Sequence, residues 1–133
     1  MREIKFRGKA LMSLEELDQL DIPHENGWVY GSLISNGKSP LIVGDIADWG
    51  DDYIAHEWYV AVKQESVGQF TGSHDKNGVE IYEGHVYHQG DPRITYTVVW
   101  HDSGLMGKQN GSSSYAGLSH WQDRIEVLND RNY

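Results

Sequence analysis

Short runs in which apolar and polar side chains alternate predict a chain built mainly of β-strands. The run from Tyr53 to Val62 alternates throughout and predicts one long strand, and Arg93 to His101 predicts another in the same way. Trp28 to Ser35 and Pro40 to Val43 flank the dipeptide Asn36-Gly37, which favours a type I′ turn, so the three segments together predict a hairpin.

The N-terminal residues predict a half-buried strand with a basic outer face. Ile4 and Phe6 alternate there with Lys5, Arg7 and Lys9, and alternate residues of a strand point to opposite sides. A solvated strand face that protects a sheet edge explains these bases better than a phosphate-binding stripe does.

One short helix is expected next. Ser13 followed three residues later by Glu16 has the form of a capping box, and the apolar spacing behind it predicts a helix over about Leu14 to Leu20. Ile22-Pro23 ends this segment because proline cannot continue a helix. We expect the helix to cover one side of the sheet.

The stretch from Val67 to Val86 predicts a second hairpin with sharp corners. Two β-prone runs, Val67 to Thr71 and Val79 to Tyr82, flank a polar segment that ends in Asn77-Gly78, and this dipeptide predicts a tight reversal. Glycine adopts positive φ without a steric cost, so evenly spaced glycines predict the corners at which the sheet turns. These glycines are Gly72, Gly78 and Gly84.

Two polar segments predict loops. Asp45 to Asp52 joins two predicted strands, and Gly104 to Ser114 is rich in Gly, Ser, Lys and Asn. The second segment is the better candidate for a mobile loop, so we expect Gly107 within it to tolerate alanine.

Composition bounds the fold and excludes several kinds of site. The 133 residues suffice for a single domain, or for two small β units at 1–63 and 64–133. The chain has no cysteine, which excludes disulfides and thiolate metal sites. Its apolar runs are far shorter than the roughly 20 residues that cross a bilayer, and the N-terminus lacks a signal-peptide core, so we expect a cytoplasmic protein.

Net charge and its distribution point towards a protein partner. The formal net charge of −9 disfavours nonspecific binding to nucleic acid, whose phosphates are also negative. The segment from Asp45 to Glu57 contains five acids and no base. Within it, Trp49 stands next to Asp48, Asp51 and Asp52, which is the pattern of an aromatic anchor with steering charges. These four residues are the candidate protein contact.

The tryptophans are expected to divide between core and surface. Trp28, Trp58 and Trp100 fall within predicted strands and are assigned to the core, whereas Trp49 and Trp121 lie in polar surroundings. A base-stacking platform for single-stranded nucleic acid would need a positive groove, which an acidic chain does not favour.

No motif predicts catalysis, a cofactor or a metal. Among the seven histidines, His85 and His88 are three residues apart, but in a strand that spacing places them on opposite faces. The acidic run around Asp48 lacks the alternation and the glycine of a calcium-binding loop. No phosphate-binding glycine loop or nucleophile motif occurs, so catalytic, cofactor-binding and metal residues are all predicted to be absent.

A family resemblance follows from the segment GQFTGSHDKNGVEIYEGHV, which begins at Gly68. The segment resembles the signature of the YopX family, small proteins carried by bacteriophages and prophages. Met1 to Arg7 and Gly27 to Ile34 also fit, and Arg124 to Leu128 fits more loosely. The chain departs from the family pattern at His85, where aspartate is expected, and again after Leu128.

The resemblance implies an SH3-like small β-barrel in the second half and a phage accessory protein without an established activity. We therefore expect a mainly β protein in which N-terminal strands, a hairpin and one short helix extend this barrel. It is expected to bind a host or phage protein, or a second copy of itself, and to catalyse no reaction. The alternatives are a nucleic-acid-associated small barrel, a DNA-mimicking acidic inhibitor and a metal-dependent enzyme.

Overall fold

The structure is a computed structural model that describes residues 3–118 and 123–130, and it is mainly β, as predicted. The chain divides into two compact units. The N-terminal unit comprises Ile4–Gly68, and the C-terminal unit contains the described residues from Gln69 onward. Within the described ranges, no helix is long and apolar enough to cross a membrane.

The N-terminal unit is an antiparallel sheet covered by one helix. Its sheet has the strand order β6-β3-β2-β1, and β4 and β5 form a separate two-stranded sheet. The buried core includes Leu17 of the helix and Val29, Ile42 and Val60 of the sheet, which pack together. The elements are β1 Phe6–Lys9, α1 Leu14–Gln19, β2 Trp28–Ile34, β3 Leu41–Val43, β4 Ile46–Trp49, β5 Ile54–His56, β6 Tyr59–Ala61 and a 3-10 helix Gln64–Ser66.

The predicted N-cap is present at the start of α1, although Glu16 bonds the Ser13 hydroxyl and not the Ser13 backbone N–H that a capping box would use. The Glu16 backbone N–H donates to Ser13 Oγ at 3.2 Å, and the Ser13 hydroxyl in turn donates to Glu16 Oε1 at 3.0 Å. Leu17 is fully buried against the sheet, while Leu14 and Leu20 are exposed. Of the three leucines spaced three residues apart, Leu17 is therefore the one that packs into the core.

The hairpin of β2 and β3 is confirmed, but its turn differs from the predicted type. Ser32 pairs with Val43 and Leu33 with Ile42. A type I′ turn would need positive φ at both Asn36 and Gly37, and only Gly37 has it, at 56°. The connection spans residues 35–40 rather than two residues, so the strict twist requirement of a two-residue hairpin does not apply.

The N-terminal strand does not present all its bases to solvent. Arg7 is 1% exposed, and its guanidinium carbon lies 4.0 Å from the centre of the Trp28 ring. Ile4, predicted to face inward, is exposed and precedes β1. The prediction was wrong because a guanidinium can be buried when it stacks on an aromatic face, which a simple apolar–polar alternation ignores.

The predicted long strand and the predicted loop before it are both wrong. Tyr53 to Val62 is divided into β5 and β6, and the segment Asp45 to Asp52 contains β4. The chain bends between the two sheets at a point held by backbone hydrogen bonds from Gly44 to the Trp58 oxygen and from Glu57 to the Asp45 oxygen. The alternation of side chains continues across this bend, so the sequence pattern contains no sign of it. We call residues 46–56 the acidic hairpin.

The C-terminal unit contains a hairpin and a five-stranded antiparallel sheet. The sheet has the order β12-β11-β10-β9-β13, and among the described residues no strand pairing closes it into a barrel. A register shift between Val127 and Asn129 distorts β13. The elements are β7 Gly68–His74, β8 Glu80–Tyr82, β9 His85–His88, β10 Tyr96–His101, β11 Gly104–Gln109, β12 Tyr115–Ala116 and β13 Glu126–Asp130.

The reversal between β7 and β8 depends on Asp75. Its carboxylate accepts backbone N–H groups from Asn77 at 2.8 Å, Val79 at 2.9 Å and Val127 at 3.0 Å. Gly78 has positive φ, 83°, but Asn77 does not, so only the glycine adopts the left-handed conformation. Positive φ also occurs at the other two predicted corners, which are Gly72 at 86° and Gly84 at 95°.

The predicted mobile loop after residue 104 begins with a full strand. Gly104–Gln109 forms β11, which pairs with β10 from His101↔Gly104 to Tyr96↔Gln109. Gly107 packs against the buried Tyr87 hydroxyl, where an added Cβ would collide with the phenol oxygen. The prediction failed because strand pairing satisfies the backbone whatever the side chains are, so composition alone did not reveal it.

The other C-terminal predictions have mixed outcomes. The strand predicted from Arg93 begins only at Tyr96, as β10, because Arg93 belongs to a turn in which the Ile94 N–H donates to the Asp91 backbone oxygen at 3.0 Å. Trp100 is 50% exposed and does not belong to the core, unlike the buried Trp28. Trp121 lies outside the described residues.

Candidate protein-binding site

The acidic hairpin presents an exposed apolar face. Trp49 lies directly opposite Ile54, and Ile46 lies opposite His56. Ile54 and His56 are two residues apart in β5 and share one side of it, so Trp49 and Ile46 share that side as well. The exposed fractions are 53% for Ile46, 73% for Trp49 and 62% for Ile54. We call these three residues the apolar face.

The tip of the hairpin is fastened by Asp48. The carboxylate accepts the Trp49 backbone N–H at 2.9 Å and the Tyr53 hydroxyl at 2.9 Å. The hydrogen bond to Asp48 raises the pKa of the Tyr53 phenol above its ordinary value. The Gly50 backbone N–H closes the turn by donating to the Tyr53 carbonyl oxygen at 3.0 Å. The Tyr53 ring occupies the space that a Cβ on Gly50 would need. These bonds hold Trp49 at the end of β4.

The base of the hairpin is held by His56. The Gly44 carbonyl can only accept, so His56 Nδ1, 2.7 Å away, is the donor. The His56 ring also contacts the edge of the Tyr59 ring, with centroids 5.8 Å apart. The hairpin therefore rises from a fixed base rather than from an unstructured loop.

The structure places the four predicted contact residues together. Asp48 and Trp49 end β4, and Asp51 and Asp52 form the exposed turn that follows. Sequence reasoning missed Ile46 and Ile54, which extend the surface around Trp49. The β-bulge between Ile46 and Asp48 shifts the side-chain alternation, so a period of two did not identify Ile46 and Trp49 as neighbours on one side.

A pocket of about 280 Å³ opens beside the base of the hairpin. Its aromatic walls are Tyr30 and Trp58, and its charged lining residues are Lys5, Asp45 and Glu57. All of these residues belong to the N-terminal unit. The volume lies just below the roughly 300–1,000 Å³ that small-molecule sites usually enclose, which makes the pocket suited to a single side chain or a small fragment.

Two glycines make room for this pocket. A Cβ on Gly44 would come within 2.5 Å of the Trp58 indole nitrogen, so the ring can lie flat against the backbone there. A Cβ on Gly31 would collide with the Val43 carbonyl oxygen, so only glycine allows this close approach of β2 and β3. Both glycines thus shape the pocket through the absence of a side chain.

The histidine pair of β9 serves as a pair of hydrogen-bonding core groups. His88 Nε2 lies 2.9 Å from Glu126 Oε2, and its Nδ1 accepts the Gly90 backbone N–H at 3.1 Å. His85 Nδ1 accepts the Tyr82 backbone N–H at 2.9 Å. Over residues 3–118 and 123–130, no group of three histidine, aspartate or glutamate side chains is arranged to hold a metal ion.

Comparison with protein families gives one match of wide coverage. The family described as YopX protein matches residues 24–128, which include the β2–β3 hairpin, the acidic hairpin, the pocket apart from Lys5 and Pro23, and most of the C-terminal unit. No curated protein matches the chain.

Proposed function

This chain belongs to the YopX protein family, and from that premise we propose that it is a phage or prophage accessory protein that binds a protein partner through the acidic hairpin. The observation that carries the proposal is the 73% exposure of Trp49 beside Ile46 and Ile54. Large apolar side chains clustered on a surface favour association, because covering them removes apolar area from water.

The charges around Trp49 indicate which kind of partner would fit. Asp48, Asp51 and Asp52 surround the tryptophan, and the segment from Asp45 to Glu57 contains no lysine or arginine. Like charges grouped in this way repel each other, and an approaching basic surface relieves the repulsion. We therefore propose a host or phage protein with a basic patch as the partner, in preference to nucleic acid or a second copy of this acidic chain.

The proposal is one of binding without catalysis, without a bound cofactor and in the bacterial cytoplasm. It also retains the SH3-like barrel that the family resemblance implies for the C-terminal unit. The support for that barrel is a set of five short antiparallel strands with a register shift in β13. A crystal structure of the intact protein tests it, since a sheet that stays open between its two edge strands would exclude the barrel.

Capture from a bacterial lysate, with two tryptophan variants compared, tests the binding surface. Trp49→Ala is expected to weaken capture of the retained basic protein more than about tenfold, because aromatic anchors dominate interface energies. Trp100→Ala is the control, since Trp100 is exposed as well, to 50%, but lies on β10 of the C-terminal unit. Both variants should unfold within about 0.5 kcal/mol of the parent in urea. Capture that survives Trp49→Ala with the purified partner would place the binding surface elsewhere.

The charged residues are tested separately through association kinetics. Changing Asp51 and Asp52 to Asn, with Asp48 kept because it fastens the tip of the hairpin, is expected to slow association and flatten its salt dependence while dissociation changes little. Random duplex and single-stranded DNA serve as negative probes, with no binding tighter than about 10 µM expected at about 150 mM salt. A submicromolar DNA complex would instead favour the nucleic-acid-associated barrel.

A further inference from the structure

We propose that the pocket beside the acidic hairpin accepts one cationic side chain, arginine or lysine, from the protein partner. The part of this inference that assigns the side chain to a protein partner rests on the function proposed above. The pocket and the hairpin are parts of one continuous surface. Asp45 immediately precedes β4 and Glu57 immediately follows β5, and both line the pocket.

Backbone hydrogen bonds at the bend, together with the bond from the His56 ring to the Gly44 carbonyl, place Asp45 and Glu57 at the pocket. The Glu57 backbone N–H donates to the Asp45 carbonyl oxygen at 2.8 Å, and the Gly44 backbone N–H donates to the Trp58 carbonyl oxygen at 3.1 Å. Because none of these bonds uses a carboxylate, both side chains are available to a ligand, and both are exposed to solvent. Their replacement by amides should leave the bend intact.

The aromatic walls add a second reason for a cation. Trp58 is half-buried, and its ring is positioned by Gly44, while Tyr30 lines the pocket from β2. The face of an indole or phenol attracts a cation, and arginine also stacks on it through its flat guanidinium. The N-terminal unit already contains one such contact, with the Arg7 guanidinium 4.0 Å from the Trp28 ring centre.

Lys5 is the feature that makes the sign of the ligand testable. It is the single basic residue of the lining, against two carboxylates, so the described lining is negative by one charge. A cationic ligand is repelled by Lys5 and attracted by Asp45 and Glu57. An anionic ligand would experience both effects with the opposite sign.

The first experiment uses the intact protein and a single-residue probe. The indole N–H signal of Trp58, assigned with Trp58→Phe, is followed by NMR as N-acetyl-arginine amide is added. Saturable shifts at about millimolar concentration are expected for Trp58 and not for Trp100. N-acetyl-citrulline amide, which has the same shape without the charge, should bind at least about fivefold more weakly. Equal binding of the two probes, or no saturable shift at Trp58, would overturn the inference.

The second experiment neutralises the charges of the lining. Asp45→Asn combined with Glu57→Gln should weaken the arginine probe about tenfold, whereas Lys5→Gln should tighten it. N-acetyl-glutamate amide is the probe of opposite sign, and its tighter binding to the parent would show an anion site and overturn the inference. The dispersion of the amide spectrum verifies that each variant is folded.

The outcomes separate this inference from the proposed function. If Trp49→Ala abolishes partner capture while the pocket variants leave both capture and the arginine probe unchanged, the hairpin binds a partner and the pocket inference fails. If the pocket follows the predicted charge pattern but capture is independent of Trp49, the pocket binds cations and the hairpin function fails.

Discussion

Two aspartate- and glycine-containing reversals in this protein have opposite environments. In the turn between β7 and β8, the Asp75 carboxylate is buried and accepts three backbone N–H groups. In the acidic hairpin, Asp48 is exposed and accepts from Trp49 and Tyr53, its neighbours in the same turn. The comparison shows that the same residue types can form part of a fold or remain available at a surface.

The difference between the two lies in the reach of their hydrogen bonds. Asp75 bonds to Val127, 52 positions along the chain, and the neighbouring Lys76 N–H donates to the Ile125 oxygen at 2.9 Å. These bonds join the turn to β13 and its approach. The bonds of the acidic hairpin tip stay within Asp48 to Tyr53, so the fold elsewhere does not depend on them.

The largest expected effect compares one aspartate from each reversal. Asp75→Ala should lower the free energy of unfolding by about 3 kcal/mol, because three backbone N–H groups lose a charged acceptor that is itself buried. Asp51→Ala, in the exposed turn of the acidic hairpin, should change it by less than about 0.5 kcal/mol. Urea unfolding of both variants measures the difference. Similar unfolding midpoints for the two variants would show that the two reversals contribute equally to stability.

A second comparison uses two glycines that each face a tyrosine. Gly107→Ala should cost about 2 kcal/mol because the buried Tyr87 cannot move away from the new methyl group. Gly50→Ala should cost less than about 0.5 kcal/mol, since the exposed Tyr53 ring can turn into solvent.

Tyr87→Phe provides the control for this comparison. The Tyr87 hydroxyl is buried and has no hydrogen-bond partner among the described residues, and burial raises its pKa well above the ordinary value. Removing the hydroxyl should not destabilise the protein and should recover part of the Gly107→Ala loss in the double variant. If the double variant is as unstable as the sum of the two single changes predicts, the clash with the hydroxyl is not the cause of the Gly107→Ala loss.

The smallest expected effect concerns the tip of the acidic hairpin. The bond to Asp48 raises the pKa of Tyr53, so the stabilisation from this pair is present below the ordinary tyrosine pKa of about 10 and is lost as the pH rises through the raised value. Asp48→Asn should return the Tyr53 pKa towards its ordinary value. Absorbance titration of the phenolate, with Tyr53→Phe to identify the signal, measures this change. An unchanged titration would mean that the tip is not fastened in solution.

Local sequence signals succeeded where a few adjacent residues contain the whole interaction. The helix cap formed by Ser13 and Glu16 lies within four residues, and the hairpin of β2 and β3 follows from two β-prone segments around a turn. The exposed Trp49 was predicted in the same way, from the polar residues that surround it in the chain.

Predictions failed where the deciding partner was distant in the chain or where the backbone decided. Arg7 is buried because Trp28 offers it a ring face, and Gly104–Gln109 is a strand because β10 pairs with it. Neither partner could be assigned from alternation or composition. The pocket depends on Gly31, Gly44 and Trp58 coming together across a bend, and no single segment of the sequence contains that arrangement.

The amino-acid sequence by itself determined a cysteine-free, acidic, mainly β chain of the YopX family, with its helix cap and its cluster of acids around Trp49. These properties follow from composition, from short-range geometry and from contiguous motifs. Only the tertiary structure decided that the acids lie on an exposed hairpin together with Ile46 and Ile54, and that Asp45 and Glu57 line one pocket. The physical reason is that strand pairing and bends are set by hydrogen bonds between distant backbone groups, which are chemically the same at almost every residue.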